Sequence, residues 1–261
     1  MQAAVRYHGA MNAVLAEILR LLDVERVEKN LYRGPNDPNS PHVFGGQVLA
    51  QAIAAAYRTV DSGRTLHSLH AYFLRAGDWN HPVLYDVDPI RDGRSFSTRR
   101  IMAIQHGRAI LNMSSSWHAE EDGLVHAVAM PAVPPPEALR PDRERYAKLA
   151  EKHPAVRHFA FRFEAIDSRQ VEGILMTDPR AHDPVKHTWM RTADRLPDEP
   201  AVHLAMLAYM SDMDFMSTAL LPHGRSPANG GDVQGASLDH ALWFHRPFRA
   251  DDWLLFAKEA P

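Results

Sequence analysis

The run AVHLAMLAYMSDMDFM, residues 201–216, is apolar on almost every side and yet carries two aspartates near its end. A helix that is hydrophobic all round belongs inside a protein, so a carboxylate on it demands a reason. On helical spacing Asp212 shares a face with Ala208, Tyr209, Phe215 and Met216, whereas Asp214 shares one with Met210, Ser211, Ser217 and Thr218. Asp212 thus looks down an apolar stripe and Asp214 toward a more polar edge. A frayed helix end, with both carboxylates in water, fits the same spacing.

A second stretch of this kind runs over residues 47–57, alanine-rich and preceded by Gly45 and Gly46. Val14, Leu15, Ile18, Leu19 and Leu22 form the stripe of an amphipathic helix over residues 11–22. Strand patterns occupy residues 24–33, 66–74, 83–89 and 95–105, with another at 108–119 after the His106-Gly107 turn. One buried helix followed by antiparallel strands predicts an α+β unit. From Met130 the chain turns proline-rich and then charged, which reads as a linker with a short solvated helix. Beyond it, strand patterns at 161–168, 186–191, 237–246 and 253–258 surround the 201–216 helix.

The two units share more than their order. His70-Ala71 and His240-Ala241 each open an apolar strand that runs to an arginine, and each follows a buried helix, so the chain reads as a duplication. The expected division is a first repeat at 1–125, a linker at 126–156 and a second repeat at 157–261.

The strings VFGGQVLAQAI, HSLHAYFLR, DVDPIRDGRSFSTRR, AYMSDMDF and above all SLDHALWFHRPFRADDWLL resemble the type II acyl-CoA thioesterases, the TesB-like double-hotdog family, from about residue 31 onward. The resemblance implies two buried helices, each wrapped by antiparallel sheet. It also implies hydrolysis of medium- to long-chain fatty acyl-CoA by a water that an aspartate, a serine or threonine and a glutamine hold, with no covalent acyl-enzyme. The aspartate of that pattern falls on Asp212 and the hydroxyl on Ser237. A carboxylate among apolar neighbours binds its proton more tightly, which suits a general base acting on water. Gly45, Gly46 and Gln47 fit two roles equally, backbone donors to substrate at a helix N-terminus or a tight strand-to-helix turn. Measured against the first repeat, the second is short of its last two strands, where the family's glutamine lies. Two explanations compete, a piece of a full-length enzyme or a naturally shortened protein; the second gives the companion expectation of a catalytically impaired acyl-CoA-binding or scaffold protein, whose open sheet edge favours a homo-oligomer.

A formal charge of -3, with basic residues dispersed, argues against nucleic acid as a partner. The absence of cysteine removes disulfides and thiolate chemistry. No apolar run approaches the roughly 18 residues of a membrane span, and a cytoplasmic protein is expected. His67 and His70, three apart in a strand, point to opposite faces of a regular strand, and no HExxH occurs, so neither metal nor cofactor is expected. The arginines of RDGRSFSTRR and HRPFR have two readings, contacts to the phosphates of coenzyme A or, in preference, a solvated hairpin and strand end.

Overall fold

The computed structural model describes residues 11–37, 43–152, 156, 162–174, 177–225, 233 and 235–261. Helix α1 (Ala13–Leu22) begins at Asn12, whose side chain accepts from the N–H groups of Val14 and Leu15, and it buries Leu15, Ile18, Leu19 and Leu22 as their spacing requires. The segment expected as one strand is instead a hairpin of β1 (Glu25–Glu28) and β2 (Leu31–Gly34). Asn30 breaks it at φ 61°, a left-handed turn position that asparagine adopts at little cost.

Helix α2 (Gly45–Tyr57) follows, then the long strands β3 (Arg64–Phe73), β4 (Val83–Asp92), β5 (Phe96–Gln105) and β6 (Arg108–Ala119). Leu49 and Ile53 of α2 are buried with Leu66, Tyr85, Ile101 and Trp117 of the sheet, so the strands wrap the helix. Arg99 reaches inward from β5 with a side chain only 1% exposed, and it donates to the Thr59 hydroxyl (2.8 Å), the Thr59 carbonyl (2.7 Å) and Asp92 (2.8 Å). It pins the chain that leaves α2. A bulge between Leu66 and Ser68 corrects one expectation: it turns both His67 and His70 to the outer face, where His67 meets Ser116 (2.7 Å) and His70 meets Asp239 (3.3 Å).

Beyond β6 come α3 (Asp142–Lys152), then β7 (Ile166–Gln170), β8 (Val185–Thr192), α4 (Pro200–Ser211), β9 (Asp239–Trp243) and β10 (Leu254–Glu259). Three further corrections arise here. Helix α3 is not simply solvated, because Asp142 and Tyr146 are buried. Residues Arg162–Ala165 form a helical turn before β7, and residue 161 lies outside the described residues. The apolar run 201–216 is not one helix: α4 stops at Ser211, Asp212 caps it, Asp214 takes φ 58°, and a separate turn runs Met216–Leu220.

The strands form two sheets, ordered β1-β2-β4-β5-β6-β3-β9 and β10-β8-β7. Antiparallel pairing of β3 with β9 sets His70 opposite Ala241 and Ala71 opposite His240, so the two repeated His-Ala dipeptides face each other across the joint. The series β7, β8, β10 and β9 repeats β1, β2, β4 and β3; among the described residues nothing stands between β10 and β9 where β5 and β6 stand in the first repeat.

Candidate active site

The two central helices pack side by side, with the N-terminus of α2 beside the C-terminus of α4. A side chain at Gly45 would place its Cβ 2.9 Å from Asp212 Oδ2 and 3.1 Å from the Phe73 ring, and one at Gly46 would lie 2.7 Å from the Tyr209 carbonyl oxygen. Neither glycine is among the residues of positive φ. Their smallness therefore serves close approach of the two helices, and a tight turn is not the reason for them. In the space so left, the Gly46 N–H donates to Asp212 Oδ2 at 2.8 Å. A carboxylate at a helix N-terminus is favoured both by that donor and by the helix dipole.

Burial dominates the electrostatics. The Asp212 side chain is 13% exposed, and burial pushes its carboxyl up to about 6 while the Gly46 N–H and the Arg162 charge pull it partly back. Arg162 itself lies over the Phe44 ring at 4.3 Å and donates to the Tyr209 hydroxyl at 3.2 Å.

His240, which the sequence offered only as part of a repeated dipeptide, has its Nδ1 3.9 Å from Asp212 Oδ1 and its Nε2 3.0 Å from Ser211 Oγ. Burial lowers its pKa, so the ring is neutral. The Ser211 hydroxyl gives its one proton to the Ala208 carbonyl (2.9 Å), which leaves His240 Nε2 as the donor to Ser211 and Nδ1 as a bare acceptor facing Asp212. A carboxylate and an imidazole lone pair side by side favour a proton held between them or a water donating to both.

Other expected residues fare differently. Ser237 is exposed in the irregular approach to β9, and it is not among the partners of Asp212. Gln47 is buried and committed: its Nε2 donates to Pro35 O (3.0 Å) and Asn36 Oδ1 (3.2 Å), and its N–H to Phe44 O (3.1 Å). Asp214, expected at a polar edge, accepts from the Ser217 hydroxyl (2.5 Å) and is also ion-paired to Lys186 and Lys258, two buried lysines directly opposite each other on β8 and β10. The partly buried Phe73 ring stands at Gly45 beside Asp212, and Phe215 and Met216, which follow Asp212 in the chain, are exposed. A polarisable, partly desolvated base beside an apolar ring is equipped to activate water against an ester or thioester of an apolar acyl chain.

Residues 32–118 match a family model described as the acyl-CoA thioesterase N-terminal domain, and residues 167–261 match one described as acyl-CoA thioesterase. Acyl-coenzyme A thioesterase 8 of Mus musculus is 38% identical over 97% of this chain and 81% of its own length. Acyl-CoA thioesterase 2 of Haemophilus influenzae is 34% identical over 96% of this chain and 88% of its own. Among solved structures, the acyl-CoA thioesterase II TesB2 from Mycobacterium marinum superimposes with a TM-score of 0.75 at 40% identity, over 94% of this chain and 84% of that one.

Proposed function

The chain belongs to the type II acyl-CoA thioesterases and hydrolyses the acyl-CoA thioester, and we propose that it does so by direct attack of a water activated by Asp212. The observation that carries this reading is the buried Asp212 carboxylate, wedged against the Gly46 N–H beside the Phe73 ring. In the reaction the ionised carboxylate takes a proton from water as the oxygen attacks the thioester carbon. The tetrahedral oxyanion then collapses, the C–S bond breaks, and the thiolate of CoA takes that proton back from Asp212. His240 Nδ1 accepts the second hydrogen of the water and orients it. Ser237 is the hydroxyl that completes the site when substrate draws the approach to β9 inward.

The acyl chain lies along Phe73, Phe215 and Met216, which supports a preference for medium to long chains. Gly45 and Gly46 shape the substrate end of α2 by their lack of side chains, with the Gly46 N–H reserved for the base. The division into repeats at 1–125 and 157–261, with a linker at 126–156, belongs to this reading, as does a homo-oligomer. So does a cytoplasmic place of action, in keeping with the bacterial relative; no described helix is long and apolar enough to cross a membrane.

Release of free thiol from saturated acyl-CoAs of increasing length tests the reading. Turnover that climbs with chain length and falls about 100- to 10,000-fold in Asp212→Ala is the expected result. Full activity in that variant would remove Asp212 from the mechanism, and saturable binding without thiol release would make the protein an acyl-CoA binder.

A further inference from the structure

Three side chains that are not among the contacts of Asp212 converge beyond the C-terminal end of β3, on the side of the α2 N-terminus, where Gly77 lies against Val43 and Asn36 joins Asp78 to Gln47. Asp78 and His81 lie in the connection from β3 to β4, and His106 is at the tip of the β5–β6 turn. Asp78 Oδ2 is 2.7 Å from His81 Nδ1 and 3.0 Å from His106 Nε2, and the three donor atoms all lie within 4.8 Å of one another. The two imidazoles stand edge to face with centroids 4.5 Å apart.

The surroundings hold this arrangement in place. Gln105, buried beneath it, donates Nε2 to the carbonyls of Asp78 (2.8 Å) and His81 (2.7 Å) and accepts from the Asp78 N–H (2.8 Å). Asn36 Nδ2 adds a further donor to the Asp78 carbonyl at 3.1 Å. The N–H and Nδ2 of Asn80 hold Asp78 Oδ1 at 2.9 and 3.1 Å, so Oδ2 alone is turned to the histidines. His106 sits at φ 49°, a conformation in which glycine or asparagine costs less, yet a ring nitrogen occupies the position.

We infer that Asp78, His81 and His106 bind one divalent transition-metal ion of the zinc class, which staples the β3–β4 connection to the β5–β6 turn. Two imidazole nitrogens and one carboxylate oxygen form a donor set suited to zinc and its late first-row neighbours, and too poor in oxygen for calcium or magnesium. A tetrahedral ion with bonds of about 2.0–2.1 Å holds its ligand atoms about 3.3 Å apart. The present oxygen–nitrogen separations need to open by only a few tenths of an ångström, within reach of side-chain torsions. Each imidazole then turns a lone pair to the ion and carries its proton on the other ring nitrogen, which both rings, being exposed, present to water. The same exposure leaves the fourth position to solvent. The ligands come from two separate turns, which is why no spacing motif announces them.

Titration calorimetry of tag-free protein with zinc chloride, paired with thermal melting, tests the site independently of hydrolysis. The expected result is one zinc per chain and a melting temperature that rises with zinc. His81→Ala and His106→Asn should each weaken binding more than about tenfold and abolish the rise, while His126→Ala leaves both unchanged. Asparagine is chosen at position 106 because it suits the left-handed turn, so the variant folds. Magnesium chloride should produce neither heat nor stabilisation. Absence of saturable zinc binding in the parent protein, or binding that survives both substitutions, overturns the inference.

Discussion

At Asp212 activity and stability pull in opposite directions. Its carboxyl titrates at about 6 in the folded chain, above the ordinary value of 3.8. The folded state therefore holds the proton more tightly than the unfolded one. The associated stability is fully present below about pH 4 and is lost as pH rises through about 6, up to about 3 kcal/mol in all. The proposed mechanism needs the ionised form, so on that reading kcat/KM should climb with pH and level off above about 6. Asp212→Asn keeps an acceptor for the Gly46 N–H but never ionises. Urea unfolding should show it more stable than the parent at pH 7.5, equal to it near pH 4, and inactive at both. Gly45→Ala acts on the same carboxylate from the other side, since its Cβ would stand 2.9 Å from Oδ2. Thiol-release kinetics should show kcat reduced far more than folding stability, because a displaced base loses its alignment.

At the scale of elements, each central helix is tied down where it ends by a buried cation from its own sheet. In the first repeat Arg99 holds Thr59; in the second, Lys186 and Lys258 hold Asp214 in its left-handed turn. Burial alone would push Asp214 up, but the two lysines outweigh it and hold its carboxyl below the usual range. Lysines placed opposite each other on adjacent strands repel, and the aspartate between them is what makes the pair tolerable. Asp214→Asn should accordingly cost about 3–5 kcal/mol in urea denaturation, by leaving two buried charges without a counter-ion. The same elements show what a sequence discloses. Both central helices were legible, because long apolar runs have few places to go, and so was Asp212, as an acid on such a run. The β1–β2 hairpin was not, because strand character runs on through Lys29-Asn30. The polar edge of Asp214 was legible in Ser217, but its two lysines were not, because they come from strands that helical spacing does not encode.

At the scale of the whole molecule, the β3–β9 pairing is what turns two repeats into one sheet. Leu242 lies opposite Leu69, at a hydrogen-bonded position of the ladder, as the Phe73–Leu238 and Phe244–His67 bonds on either side of it require. Leu242→Pro should therefore open this joint, seen as fast amide exchange in β3 and β9, and abolish thiol release while α2 stays protected in its own sheet. The duplication was visible in the paired His-Ala dipeptides, but the meaning of His240 was not. Its importance comes from a contact with the end of α4 that strand periodicity does not encode. The Asp78, His81 and His106 cluster was hidden for a related reason, being assembled from two turns that only the folded sheet brings together.

The Gly46 N–H that receives Asp212 lies in the first repeat, and Asp212 lies in the second. If Asp212 is the base, as proposed, the first repeat leaves the ribosome with its helix N-terminus prepared but with nothing to activate water until α4 and β9 arrive. Contacts of such long sequence separation form late and slowly. The proposed mechanism thus carries its own delay: hydrolytic capacity is expected only when the two repeats have closed on each other.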